Sequence, residues 1–440
     1  MLDTKGPEIR TGEIKNEFTL KENDTFILTI EKVSFEETNK INVNYNEFIN
    51  DINEGDIIII DSGVLKAKAI KKENKDIHFK VIEGKGIISS KRHINLMGKR
   101  VSLPTITEED WKDINFGIKE NVDFIALSFV RNSKDIIKLR EYLKEKNSKI
   151  KIISKIENYE STLNIEEIIK ESDGIMYARG DLSCEISYGK VPYLQKKIRN
   201  LCSYYNKPLI IATQMLYSMI KNIQPTRAEV NDVGNAVMQR VDCVMTSDET
   251  TKSNHPVFVI DVMNKIILET EEEIYHFNSD FFNMFNQRNN QRYGFDNKAY
   301  FKNDYYPFNT CDNNNINDNN DNFKFERNLN IISILPFITK DIEAIVIIEN
   351  YNDYFVNNIS ASRLNIPMIA FTNNEILFRQ MNILWNISPV YNKNISDDYI
   401  SNINIIEKIL YENNIKKYLL VFNMIMNNNN IPTIQIKTIK

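Results

Sequence analysis

From Val122 to Tyr275 the sequence alternates short apolar runs with amphipathic stretches, and few folds accept that alternation. Val122–Phe129, Lys149–Ile156, Gly174–Ala178, Pro208–Gln214 and Cys243–Ser247 read as strands. Ser133–Lys146, a stretch from about Tyr159 to Glu171, Tyr193–Asn206, Thr226–Arg240 and Pro256–Tyr275 read as the helices that follow them. Phe124-Ile125-Ala126-Leu127 shows no polar alternation, as expected of a strand buried on both faces of a parallel sheet. Repeated βα units of this length predict a parallel sheet, open or closed into a barrel.

In such a sheet the C-terminal strand ends lie side by side and carry the functional residues. Here those ends read Ser128-Phe129, Lys155 with Glu157, Gly180-Asp181, Thr213-Gln214 and Ser247-Asp248-Glu249-Thr250. Any one of these alone is ordinarily a solvated or salt-bridged side chain. Their recurrence over successive strands reads as a site. Lys155 and Glu157 are two apart, so in a strand they share a face. Asp181 closes the next strand. One lysine and two carboxylates suit a divalent metal with a phosphorylated or carboxylated substrate, and Mg²⁺ prefers such hard oxygen ligands. The backbone around Gly180-Asp181 opens a turn suited to a phosphate or carboxylate. The four histidines are scattered, and no His or Cys cluster supports zinc.

Before Val122 the text differs. From Gly12 to about Arg100 it holds short β-prone runs (Phe26–Val33, Ile57–Ile60, Leu65–Ile70, Ile77–Ile82) between turn signals, which predicts a small β-barrel or sandwich. Thr107 with the acids Glu108 to Asp110 predicts a helix start. From Phe277 to about Phe325, Asn- and Asp-rich runs carry too little apolar surface to offset the entropy of ordering, and a disordered insert is predicted. Beyond Asn328 a second α/β unit is expected: strand Asn330–Leu335, helix Thr339–Ala344, strands near Ile345–Ile348, Pro367–Phe371 and Tyr418–Phe422, and a closing strand within Ile431–Ile439.

Composition sets the class. A hydrophobic content of 42%, charged residues at 26% and a net charge of −5 give no basic field for nucleic acid or an anionic membrane. Four cysteines without paired spacing argue for reduced intracellular thiols. No apolar run reaches bilayer length.

Leu2-Asp3-Thr4-Lys5-Gly6-Pro7-Glu8-Ile9-Arg10-Thr11-Gly12, Ile152-Ile153-Ser154-Lys155-Ile156-Glu157-Asn158, Ala178-Arg179-Gly180-Asp181-Leu182, Ala212-Thr213-Gln214-Met215 and Pro225-Thr226-Arg227-Ala228-Glu229 together resemble the pyruvate kinase family in order and spacing, as far as Pro256. The resemblance continues more weakly through Ile345–Tyr391. It implies an α/β fold: a TIM (β/α)₈-type barrel with an inserted β-rich lid and a C-terminal α/β domain. The expected boundaries are 1–9 for the end of the third barrel strand, 10–101 for the lid, 102–276 for the rest of the barrel, 277–328 for the insert and 329–440 for the C-terminal domain.

The resemblance also implies site roles. Glu157 and Asp181 would hold Mg²⁺ (or Mn²⁺), and Asp3 and Thr4 would form half of a K⁺ site. Lys155 would face the transferring phosphoryl group, and Thr213 would sit near the carbon that is protonated. Gly180, Asp181 and Ser247 would contact substrate. Arg92 and Arg10 would reach the nucleotide from the lid. The implied reaction is transfer from phosphoenolpyruvate to ADP by a homotetramer, with cytoplasm as the default compartment and a plastid as the other.

The sequence departs from the family pattern in places. The family's first two barrel strands have no counterpart before Asp3, so a fragment with six barrel strands is expected, and a catalytically impaired kinase-like chain is the alternative reading. A metal-dependent lyase of related barrel type is a third, disfavoured by the lid and the Thr213 motif. Ser183 replaces a glycine and is expected to restrict a turn. Asp248 is expected to add negative charge near an anion site. Glu349–Asp353 and Asn427–Asn430 replace the family's phosphate-binding effector loops, so sugar-bisphosphate activation is not expected.

Overall fold

The computed structural model describes residues 1–14, 17–33, 39–61, 63–289, 342–350, 354–364, 366–396, 399–426 and 429–439. They form two units, one of residues 1–260 with 376–385, the other of residues 261–375 with 386–440.

The first unit is organised by one six-stranded sheet, Leu2–Asp3, Phe124–Leu127, Lys151–Ile156, Gly174–Ala178, Leu209–Ala212 and Cys243–Met245, in that order. Every pairing is parallel. Phe124–Leu127 and Leu209–Ala212 are buried at every position, which explains their uninterrupted apolar text. Phe124, Ala126, Ile153, Met176, Ile210 and Ala212 share one inner cluster. Lys155 follows Ile153 by two, so the same alternation turns it to that inner side at the strand's C-terminal end.

Helices follow the strands with strong start signals. Thr107 and Asp110 form a capping box before Glu108–Lys119, as do Asn132 and Asp135 before Ser133–Glu145 and Thr226 and Glu229 before Arg227–Met238. The stretch expected as one helix from Tyr159 to Glu171 is two, Tyr159–Leu163 and Ile165–Glu171. The break falls at Asn164, whose backbone leaves helical geometry (φ −102°, ψ 17°) while its side-chain amide donates to Arg131 O at 2.9 Å.

The lid is a seven-stranded sheet ordered Lys40–Asn42, Thr25–Thr29, Asp76–Ile88, Leu65–Glu73, Ile57–Ile60 and Ile94–Leu96, with Phe18–Lys21 on the end of the long strand. Period-two alternation buries Ile77, Phe79 and Val81, and Phe79 stacks on Phe26 at 5.6 Å. The irregular segment leading back to the six-stranded sheet is clamped by Arg131, whose guanidinium donates to Val101 O, Leu103 O and Thr105 Oγ1.

The second unit holds a five-stranded sheet in which Ile387–Tyr391, Met368–Thr372, Ala344–Ile348 and Lys417–Met426 run parallel and Asn429–Thr438 closes antiparallel. Ala344 opens a strand instead of ending a helix. The expected strand 330–335, residues 339–341 of the expected helix 339–344 and much of both effector-loop segments lie outside the described residues. The helix from Pro256 runs to Asn289, so residues 277–289 are helical where an insert was expected; no glycine or proline interrupts that stretch. Residues 290–328 of the expected insert lie outside the described ones.

Candidate active site

Parallel pairing lines up the strand ends in the order Asp3, Ser128, Lys155, Gly180, Thr213 and Ser247. Three of these strands meet at the lysine. Lys155 Nζ lies 3.0 and 3.2 Å from the two oxygens of Asp3, 2.9 Å from Ser128 Oγ and 2.9 Å from Glu157 Oε1. The Lys155 side chain is only 13% exposed. Burial opposes its charge, but Glu157 and Asp3 outweigh burial, and its pKa rises above the usual lysine range.

Glu157 is buried, and its second oxygen accepts the Phe129 amide at 2.9 Å. Burial pushes its pKa up, Lys155 pulls it down, and Asp181 pushes it up again, leaving it raised. Desolvated Glu157 therefore shares one ammonium with the more exposed Asp3 and feels the charge of half-buried Asp181, an arrangement short of positive charge. A divalent cation fits that deficit. Among the described residues no group of three or more His, Cys, Asp and Glu is set to hold a metal, so substrate and water would complete such a shell.

Asp110 shapes the loop beneath Asp3. Its fully buried carboxylate accepts the Lys5 and Gly6 amides at 2.9 and 3.1 Å and the Thr107 amide at 2.9 Å. Gly6 has φ +70°, and a Cβ there would lie 2.6 Å from Phe129 Cδ2. Phe129 itself sits at φ 53°, a costly conformation that aims its amide at Glu157. Thr4 is enclosed: Oγ1 accepts the Ser128 amide at 2.9 Å, and Thr4 O accepts Ser128 Oγ at 2.6 Å.

Thr213 also occupies the left-handed region, at φ 71°, with Gln214 at 56°. The strained turn sets Thr213 Oγ1 to accept the Gly180 amide at 2.8 Å and to donate to Ala212 O at 2.6 Å. Arg179 braces this turn, donating to Thr213 O at 2.8 Å and pairing with Asp232 at 2.7 Å. Ser183 lies inside the helix Arg179–Glu185 and donates to Gly180 O, so the expected turn restriction does not arise.

Ser247 stands apart from the lysine cluster: its amide donates to Glu249 Oε2 at 2.7 Å, and no contact ties it to Lys155, Glu157 or Asp181 among the described residues. Asp248 pairs with Lys252 at 2.7 Å, so the expected extra negative charge is compensated locally.

The expected lid borders the strand ends. A cavity of about 420 Å³ is walled by Arg10, Asp61, Ser89, Lys91, Arg92 and His93 from the lid side and by Asp181 from the barrel. Both predicted lid arginines thus open onto the same space as Asp181. His93 is packed in there, and burial holds its pKa below the usual imidazole range although Asp181 opposes this.

Sequence reasoning placed Ser128 among the strand ends but missed Asp110 and Glu185 as members of this architecture. Glu185 accepts the Tyr159 amide at 2.8 Å through its carboxylate and the lid's Gly98 amide at 3.0 Å through its carbonyl. An acid placed four residues beyond Asp181, on the same helix face, was the available signal.

Residues 1–260 match the family model for the pyruvate kinase barrel domain. Pyruvate kinase isozyme G, chloroplastic, of Nicotiana tabacum is 44% identical over 275 residues, covering 62% of this chain and 48% of that protein. Pyruvate kinase of Geobacillus stearothermophilus is 43% identical over 280 residues, covering 63% of this chain and 47% of that protein. The chain therefore spans about half the length of these curated relatives. A crystal structure of a pyruvate kinase from Cryptosporidium parvum superposes with a TM-score of 0.81 at 29% identity, covering 99% of this chain and 83% of that one. With the barrel-domain match extending over more than half of its residues, the chain belongs to the pyruvate kinase family.

Proposed function

We propose that the chain transfers a phosphoryl group from phosphoenolpyruvate to ADP, giving pyruvate and ATP. One observation carries this reading: the buried Lys155 ammonium, held among Asp3, Ser128 and Glu157, stands at the strand ends beside the strand that leads to Asp181 and the basic lid cavity. Phosphoryl transfer needs positioning and charge stabilisation, with little covalent work by the protein.

Glu157 and Asp181 would hold Mg²⁺ or Mn²⁺. When bound, such an ion supplies Lewis-acid stabilisation of phosphoryl and enolate oxygens. Lys155, positively charged and out of water, would stabilise the moving phosphoryl group where the local dielectric is low. The Gly180 amide and Asp181 would orient the substrate. Thr213 Oγ1, pinned by Gly180, would hold the proton destined for the enol carbon. Arg10 and Arg92 would bind the nucleotide phosphates, and the lid would exclude water. Ser247, at the last strand end, would contact substrate at the margin of the site.

The K⁺ reading fits the residues less well. Asp3 offers a half-exposed carboxylate, but both Thr4 oxygens are hydrogen-bonded to Ser128, and no step is assigned to that ion. Assembly as a homotetramer rests on the family alone. No described helix is long and apolar enough to cross a membrane, and the chloroplastic name of the tobacco relative supports a plastid as the compartment.

A coupled assay of pyruvate formation with phosphoenolpyruvate, ADP, Mg²⁺ and K⁺ tests the proposal. Turnover that depends on ADP and the divalent ion is expected. Its absence under saturating substrates would refute the activity for this chain.

A further inference from the structure

The lid cavity is basic in its residue list but not in its pairing. Arg92 Nη1 lies 3.3 and 3.1 Å from the two carboxylate oxygens of Asp61, and Arg92 Nε donates to Ser89 Oγ at 2.5 Å. Arg10 is likewise tied up, with Nε and Nη2 on Glu8 at 2.7 and 2.6 Å and Nη1 on Lys91 O at 2.6 Å. Each guanidinium offered to a phosphate is already holding a carboxylate of the same wall.

The two pairs are built differently. Glu8 is two residues from Arg10 in the chain, whereas Asp61 comes from a separate lid turn at φ 56°. That turn is fixed by its own backbone: the Asp61 amide donates to His93 O at 3.0 Å, and its carbonyl accepts the Val64 amide at 3.3 Å. The backbone therefore holds Asp61 opposite Arg92 independently of the pairing.

We infer that Asp61 is a specificity-determining residue of the lid cavity, a built-in competitor that an incoming diphosphate must displace from Arg92. The inference deepens the nucleotide reading of this cavity and rests on it. Asp61 holds Arg92 through Nη1 alone, so a phosphate drawn to that nitrogen meets the carboxylate's negative charge and competes with it there. The dianionic terminal phosphate of a nucleoside diphosphate wins that exchange, while weakly charged ligands do not. Because both partners of the pair are more than a third exposed, the competition is a moderate filter and not a lock.

Asp61→Asn is a clean probe, since asparagine keeps the left-handed backbone and the shape but loses the charge. Binding of ADP and of inorganic pyrophosphate is measured by calorimetry at low salt in wild type, Asp61→Asn, Arg92→Ala and the double variant. The expected result is about two- to fivefold tighter binding in Asp61→Asn, matching the usual worth of an exposed ion pair. The gain should vanish in the Arg92→Ala background and shrink at high salt. Unchanged or weaker binding in Asp61→Asn, an equal gain without Arg92, or no binding by any of the four proteins overturns the inference. Tighter pyrophosphate binding in Asp61→Asn, with no phosphoryl transfer by any variant, would leave the inference standing while the proposed activity fails.

Discussion

Lys155 and Glu157 leave the same strand on the same side and meet at 2.9 Å, the lysine 13% exposed and the glutamate 3%. Neighbouring strands add Asp3 and Ser128 to the ammonium, and the charge of Asp181 reaches the glutamate. Removing one partner of such a buried pair costs far more than the pair contributes, because the other charge is left without compensation.

That charge deficit makes a stability prediction. Mg²⁺ should stabilise the wild type by about 2.7 kcal/mol at a hundredfold excess over Kd, and its melting temperature should rise with the logarithm of the Mg²⁺ concentration. In Glu157→Gln the Mg²⁺-dependent rise should be lost. Thermal shift titrations with Mg²⁺ and Mn²⁺ check this, and an undiminished shift in the variant would remove Glu157 from the metal site.

Gly6 and Asp110 act on the site from below. Gly6→Ala forces a side chain into the Phe129 ring at a left-handed position, and Asp110→Ala strips the Lys5, Gly6 and Thr107 amides of their buried acceptor. Each should cost about 2–3 kcal/mol of stability by urea denaturation. Each should also lower turnover, because the Phe129 amide and Asp3 both depend on this loop. Wild-type stability in both variants would show that the loop is not held in this way.

Glu185 sets a pH dependence. Burial pushes its carboxyl up to about 8, against the donors from Tyr159 and Asn95. Its folded pKa is above its unfolded value of about 4.3, so the stability it contributes is present in full at low pH. That contribution is lost as pH rises from about 5 through 8. Denaturation midpoints of the metal-free protein should fall across that window, and Glu185→Gln should flatten the fall by about 2–4 kcal/mol. Parallel curves for the two proteins would contradict the assignment.

The parts legible in the sequence were those governed by local periodicity. Continuous apolar runs marked the parallel strands, the two-residue spacing of Lys155 and Glu157 put them on one face, and Thr107 announced its helix. What stayed hidden was set by distant partners. Asp110 reads as an ordinary first-turn acid until the Lys5-Gly6 loop is seen to close on it. Asn164 reads as helical, and only its backbone angles and its side-chain bond to Arg131 O reveal the break there. Arg92 reads as a free cation, whereas Asp61, 31 residues earlier, occupies it. Asp248 looked like a burden on the site because the Lys252 pairing is an exposed contact that no core pattern announces.

Lys155 carries the proposed transfer most directly. In Lys155→Met, the transfer of phosphate from phosphoenolpyruvate to ADP and the binding of Mg²⁺ should be measured on the same preparation. The predicted result is a loss of transfer by at least about a thousandfold, the scale of a lost preorganised charge, with Mg²⁺ binding retained. Turnover equal to that of the wild type in a folded, Mg²⁺-binding Lys155→Met protein would contradict the central role given to this lysine.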